Sequence, residues 1–205
     1  MTHLKIIILL LAGLWNIQII FAQIAPSPFP LTEEQISFKI DSLREVYKPY
    51  DEQDFSSLSE AERNKVMIAK GREAILVFAP DYYREYKNPT ITIDTLQDEK
   101  AWKIWASNTR LKRPIVPMKK EHIGKHFYRI YFSYDQTKEN LGRIPFITEF
   151  RVLQDTGEPL TLFIPNANSL IDFEKHSFER RMKEKRSPED RIKYQPYVEG
   201  TRTGG

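Results

Sequence analysis

The sequence predicts an α+β domain: a mainly antiparallel, three- to five-stranded sheet packed against two N-terminal helices and one C-terminal helix. Three observations carry this expectation. Residues 126–165 alternate apolar and polar side chains with a period of two. Residues 32–79 hold two helical periodicities, each opened by a Ser or Thr with Glu or Gln three positions later. The 205 residues are 40% hydrophobic and 12% aromatic, enough for one core and one domain.

In chain order, Lys5 precedes an apolar run from Ile6 to Trp15, and Ile20-Phe21-Ala22 offers a cleavage site before Gln23. Residues 1–22 therefore read as a secretory signal peptide. The rival is a retained anchor, since 6–22 is near the lower limit for spanning, although Asn16 and Gln18 interrupt it. The Phe-Ala-Gln ending resembles Gram-negative envelope proteins, so an exported chain is expected, periplasmic or secreted, with outer-membrane association open. After cleavage no membrane span is expected. Pro26, Pro28 and Pro30 make residues 23–31 an extended tether.

Residues 32–186 are expected to form the domain. Thr32 and Gln35 form a capping box flanked by Leu31 and Ile36 as a hydrophobic staple, and Ile36, Ile40, Leu43 and Tyr47 line one helix face until Pro49. The second helix starts at Ser57 or Ser59, two competing registers, and runs to Pro80 with Gly71 as a bend, weak point or cap. Residues 74–79 contain no polar side chain, which predicts burial on all sides. Residues 90–95 alternate Thr with Ile and read as a short, edge-like strand. Residues 96–107 fit a helix face through Ala101, Trp102, Trp105 and Ala106, or a strand face through Trp102 and Ile104, and a helix is expected. Residues 110–125 are basic, interrupted by Pro114 and Pro117, and read as a loop.

The three central strands share one parity. Tyr128, Ile130, Phe132 and Tyr134, then Ile144, Phe146, Phe150 and Val152, then Leu160, Leu162 and Ile164 all sit at even positions. That face should meet the helices, leaving Arg129, Ser133, Glu149, Arg151 and Thr161 to water or a polar partner. Asp155-Thr156-Gly157-Glu158-Pro159 predicts the turn of a hairpin. Residues 166–169 read as a turn capping a last helix over 170–185, and residues 187–205 as a tail in which 194–198 could return as an edge strand.

Charge and composition narrow the function. Lys plus Arg number 31 against 28 acids, a net +3 that offers no field for nucleic acid, and loss of residues 1–22 removes only Lys5 from that balance. The absence of cysteine excludes disulfides, thiolate catalysis, Cys-ligated zinc and an N-terminal lipidated Cys. No cofactor is expected, because the chain has no glycine-rich phosphate pattern.

The candidate chemistry is sparse. Tyr82, Tyr83 and Tyr86 stand beside charges directly after Pro80; they read as rings sealing the core edge or, with Trp102 and Trp105, as a ligand-binding aromatic patch. His122 and His126 are four apart, a metal-chelating spacing on a helix that Gly124 argues against. Asp155-Thr156-Gly157 matches the aspartic-protease triplet, but such an enzyme needs two triplets. Asp172 and His176 are four apart with Ser169 nearby, without a nucleophile elbow. The carboxylate pairs Glu33-Glu34, Asp51-Glu52 and Asp98-Glu99 fall in helix starts or loops.

The order of hairpin, helix and Tyr194-Gln195-Pro196 with Gly200 resembles the C-terminal domain of TonB-type energy transducers, across residues 142–200. In that family a Gly-turn hairpin precedes a helix and an aromatic-x-Pro…Gly strand, usually with Trp where this chain has Tyr194. The resemblance implies an interaction domain. The expectation from the residues themselves is an exported, non-catalytic module that binds an envelope protein or a glycan; the alternative is a hydrolase with scattered residues.

Overall fold

The computed structural model describes residues 30–85, 87–108, 117, 119–141, 144–184 and 186–195. Among these, four α-helices and a five-stranded antiparallel sheet form the expected α+β fold. The helices are α1 (Glu33–Tyr47), α2 (Glu60–Phe78), α3 (Glu99–Asn108) and α4 (Phe178–Lys183). The strands are β1 (Thr90–Thr95), β2 (His126–Phe132), β3 (Thr148–Leu153), β4 (Pro159–Ile164) and β5 (Ser169–Asp172), which lie side by side in chain order. Among the described residues no helix is long and apolar enough to cross a membrane.

Both N-terminal helices begin where their capping chemistry places them. Thr32 Oγ1 accepts from the Gln35 amide at 3.2 Å while Gln35 Oε1 accepts from the Thr32 amide at 2.9 Å. Ser59 and Glu62 form the second box, which settles the two competing registers in favour of Ser59. The two helices pack together, and α1 reaches a buried acid on α2: Glu73 accepts from Arg44 Nε at 2.8 Å and from the Tyr47 hydroxyl at 2.6 Å. This satisfies a carboxylate that would otherwise be costly inside the core.

Helix α2 then lies across the sheet and touches β2, β3 and β4. It is one helix through Gly71, neither capped nor ended there. The glycine serves a close approach: a Cβ at Gly71 would lie 2.8 Å from Phe132 Cζ and 2.9 Å from Phe150 Cδ1. The expected burial of 74–79 is complete.

The even face of β2 and β3 does meet the helices, and β1 and β5 join it in register. Ile91, Ile130, Phe150, Leu162 and Ile171 form one row across all five strands. Three details depart from the simple parity. Strand β3 starts at Thr148, so Ile144 and Phe146 lie before it; Phe146 instead stacks on Tyr131 at 4.8 Å, on the opposite face. A bulge between Arg151 and Val152 shifts the β3–β4 register, and Leu160 goes to a second apolar cluster with Leu96, Phe127 and Leu153. Glu149, Arg151 and Thr161 are buried, although only the first two are bound to polar partners.

The C-terminal part differs most from expectation. Residues 169–172 are strand β5, not a helix start, because Leu162 and Ile164 offer a free strand edge that Ile171 and Ser169 pair with. Asn168, at φ 46°, makes the turn. The last helix is only α4, capped by Ser177. Residues 187–195 have no strand, yet they dock: the Ile192 amide donates to Phe78 O at 2.8 Å, and Tyr194 is buried against Tyr82.

Candidate functional site

Two connections meet at the end of the sheet where β1 begins and β2 ends. The first, residues 83–89, leaves α2; the second, residues 133–147, joins β2 to β3. Between them lies a polar cleft of about 520 Å³ lined by Lys87, Asn88, Ser133, Tyr134, Asp135, Gln136, Thr137 and Pro145. The described residues of both connections lie outside helices and strands, and turn chemistry folds the second. Asp135 Oδ1 accepts from the Thr137 amide at 3.0 Å and from its hydroxyl at 2.7 Å, which folds residues 135–137 into an Asx turn and holds the Asp135 carboxyl below its usual range.

A buried ion pair clamps the two connections together. Arg84 donates through Nε at 2.7 Å and Nη2 at 2.6 Å to the two oxygens of Glu139, with side chains 1% and 0% exposed. Arg84 Nη1 also donates to Asp81 O and Tyr83 O. The Tyr134 hydroxyl donates to Ile144 O at 2.9 Å and fastens the stretch bearing Pro145. These bonds tie the two connections to each other, and Lys87, Asn88, Gln136 and Thr137 are exposed along the cleft.

The aromatic candidates are placed differently. Tyr82 and Tyr83 are buried. The Tyr82 hydroxyl accepts from the Gln195 amide at 2.9 Å and donates to Lys193 O, and burial pushes its pKa up to about 12. Tyr83 donates to Glu85 at 2.7 Å beneath Lys39. These two rings seal the end of α2 and its C-terminal strap, so they form no open ligand face. Tyr86 lies outside the described residues. Trp102 and Trp105 lie on α3, the helix expected there, and their side chains fall outside the description.

His122 and His126 do not converge. His126 is exposed and its Nδ1 meets Thr95 Oγ1 at 3.0 Å. His122 is buried, with Nδ1 at 2.7 Å from Glu174 and Nε2 at 3.7 Å from Glu158, whose other oxygen is held by Lys119. This joins the 119–122 turn to the β3–β4 hairpin and to the segment after β5. Among the described residues no group of three or more His, Asp or Glu side chains is arranged to hold a metal. Asp155, Thr156 and Gly157 form the hairpin turn, with Gly157 at φ 69° and Asp155 paired with Lys125. Asp172 ends β5 and accepts from the Glu174 amide at 2.9 Å, so it and His176 share no helix.

The second face of the sheet carries a charge cluster. Arg129 donates through Nε and Nη2 to Glu149, each at 3.1 Å, and through Nη1 to Asp94 at 3.2 Å; Arg151 Nε also donates to Glu149. Burial opposes the charged form of Glu149, but the guanidinium groups of Arg151 and Arg129 outweigh it and hold its carboxyl below the usual range. A folded-state pKa below the unfolded value means stability that is present above the unfolded carboxylate pKa, about 4, and is lost as pH falls through the folded one. Urea titrations from pH 7 to pH 3 should thus show stability falling in the acid range, with a smaller fall in Glu149→Gln.

The cleft escaped sequence reasoning because its walls come from stretches about 45 residues apart with no shared motif. Only the Asp135-x-Thr137 turn signal was local. His122 had been readable as a candidate, but its partner Glu174 lies 52 positions away. No protein-family model matches this chain, and neither does any curated protein or solved structure.

Proposed function

We propose that this chain is an exported, non-catalytic binding module of the cell envelope, periplasmic or secreted, that holds a glycan in the cleft between residues 83–89 and 133–147. The observation that carries this reading is the cleft's chemistry. Asn88 and Gln136 offer amide donors and acceptors, Ser133 offers a hydroxyl, Thr137 offers a hydroxyl oxygen that can still accept, and Pro145 offers a small apolar wall, all on connections clamped by Arg84 and Glu139. Hydroxylated ligands are recognised by such convergent, pre-positioned polar groups.

The hydrolase alternative would draw on a histidine beside an acid, as His122 is beside Glu174. Both of its ring nitrogens face carboxylates, however, which fits a structural link better than a base awaiting a substrate proton. The TonB-like reading is the lesser proposal, and its own result would be recovery of an outer-membrane transporter by the mature chain.

The test is an amide-shift titration of residues 23–205 with envelope-derived mono- and oligosaccharides. Shifts should gather at Lys87, Asn88, Ser133, Gln136 and Thr137. Asn88→Ala with Gln136→Ala should weaken binding about tenfold or more, from two lost hydrogen bonds of about 0.5–1.5 kcal/mol each. Shifts gathered elsewhere, or none at millimolar ligand, would refute the reading.

A further inference from the structure

Strand β1 is six residues long, Thr-Ile-Thr-Ile-Asp-Thr, and it forms one edge of the sheet. Edge strands usually carry lysine, proline or a bulge that blocks pairing with another chain. None interrupts β1, and Thr90, Thr92, Ile93 and Asp94 are exposed. Ile93 is 56% exposed although its neighbour in register, Tyr128, belongs to the core. The opposite edge, β5, has only four residues.

The backbone phase shows which groups of β1 are open. The Leu96 amide donates inward to Lys125 O at 2.9 Å, and inward and outward residues alternate along an antiparallel strand. Thr90, Thr92 and Asp94 therefore face β2, and Ile91, Ile93 and Thr95 face outward. The Thr95 amide is already taken by Asp94 Oδ1 at 2.8 Å. At the other end Pro89 has no amide to give. The open stretch is bracketed, and among the described residues the outward amides of Ile91 and Ile93 have no partner.

We propose that two copies of this chain pair β1 with β1 antiparallel, about a two-fold axis at Thr92. This register places Ile91 of one protomer opposite Ile93 of the other, so that each outward amide and carbonyl finds its partner. Centring on Ile91 would require a donor from Pro89, and centring on Ile93 would require the amide of Thr95. In the Thr92 register the isoleucines lie on the face shared with Ile130 and Tyr128, which continues the apolar layer across the axis and covers Ile93. Asp94 falls opposite Thr90, and its carboxylate already faces Arg129 at 3.2 Å, so no acid meets an acid. A second copy fits because the strand is complementary to itself, the requirement of an isologous interface. A single strand pair is a small contact, so association should be weak and concentration-dependent.

The test uses residues 23–205, which contain no cysteine. Sedimentation of the unaltered chain should show a monomer–dimer equilibrium. Ile93→Pro removes only an outward amide and should weaken it about tenfold or more, since its loss counts twice across the axis. Ile93→Lys should do the same without altering the backbone. A non-hydrogen-bonded pair brings Cα atoms to about 4.5 Å, within disulfide range. Thr92→Cys should therefore cross-link on mild oxidation, whereas Ile93→Cys should not. A monomer at millimolar concentration, or equal cross-linking at both positions, overturns the proposal. So does protection of the Ile91 and Ile93 amides that arises only with envelope extract, which would mean the edge takes a foreign strand.

Discussion

Glu139→Ala is expected to destabilise the protein by about 3–5 kcal/mol, the cost of leaving a buried guanidinium without its carboxylate. Arg84 and Glu139 have almost no exposed side-chain surface, and they exchange two short hydrogen bonds across 55 residues of chain. The pair joins the connection after α2 to the β2–β3 connection, so the mutation removes a clamp as well as a charge. The asymmetry of the effect is its signature. Replacing both members with apolar side chains of similar volume, Arg84→Met with Glu139→Leu, should cost much less than either single change. Urea titration of the two singles and the double checks this. A single-mutant loss below about 1 kcal/mol would mean that water or a neighbour takes over the orphaned group. Because the same clamp joins the two connections that flank the cleft, any folded fraction of Glu139→Ala should also lose the glycan binding proposed for it.

How far the fold could be read from sequence follows from how local each signal is. Thr32 with Gln35, and Ser59 with Glu62, are three residues apart; the first capping box stands where it was expected, and the second takes one of the two registers that competed. The period-two pattern of β2 and the Asp155–Gly157 turn are equally local, and both hold. Strand β5 was misread because Ser169-Leu170-Ile171-Asp172 has no pattern of its own. What makes it a strand is the open edge of β4, a tertiary fact. The parity argument failed at Leu160 for a similar reason: a bulge exchanges faces, and nothing in the residues around 151–160 announces it.

The site was less legible still. Aromatic and histidine side chains were the natural candidates, yet Tyr82, Tyr83 and His122 are committed to buried links between distant segments. The cleft is instead lined mostly by polar residues of connecting segments, the residue types least distinguishable from ordinary loops. Signals of chemistry and signals of packing use the same side chains. Only the three-dimensional partner tells them apart.

Gly71 shows the reverse case, a residue whose role looked like weakness. In the interior of a long helix, alanine should improve on glycine by about 1 kcal/mol, so propensity alone predicts that Gly71→Ala stabilises the protein. Packing predicts the opposite. The new Cβ would stand 2.8 and 3.0 Å from atoms of Phe132 and 2.9 Å from Phe150. Neither ring is the free end of a flexible chain: both are buried, and Phe150 also packs edge-on against Phe173. Overpacking of this kind costs about 1–3 kcal/mol, which outweighs the propensity gain. Gly71→Ala should therefore lower the urea midpoint, and Gly71→Leu should lower it far more or prevent α2 from docking on the sheet. The cause can be isolated by pairing Gly71→Ala with Phe132→Leu, which removes the ring that a Cβ meets first. If contact is the cause, the pair should lose less stability than the two single losses add up to. Strict additivity, or a rise in stability for Gly71→Ala alone, would mean that α2 can lift from the sheet at little cost, and that its close approach is not what the glycine is there for.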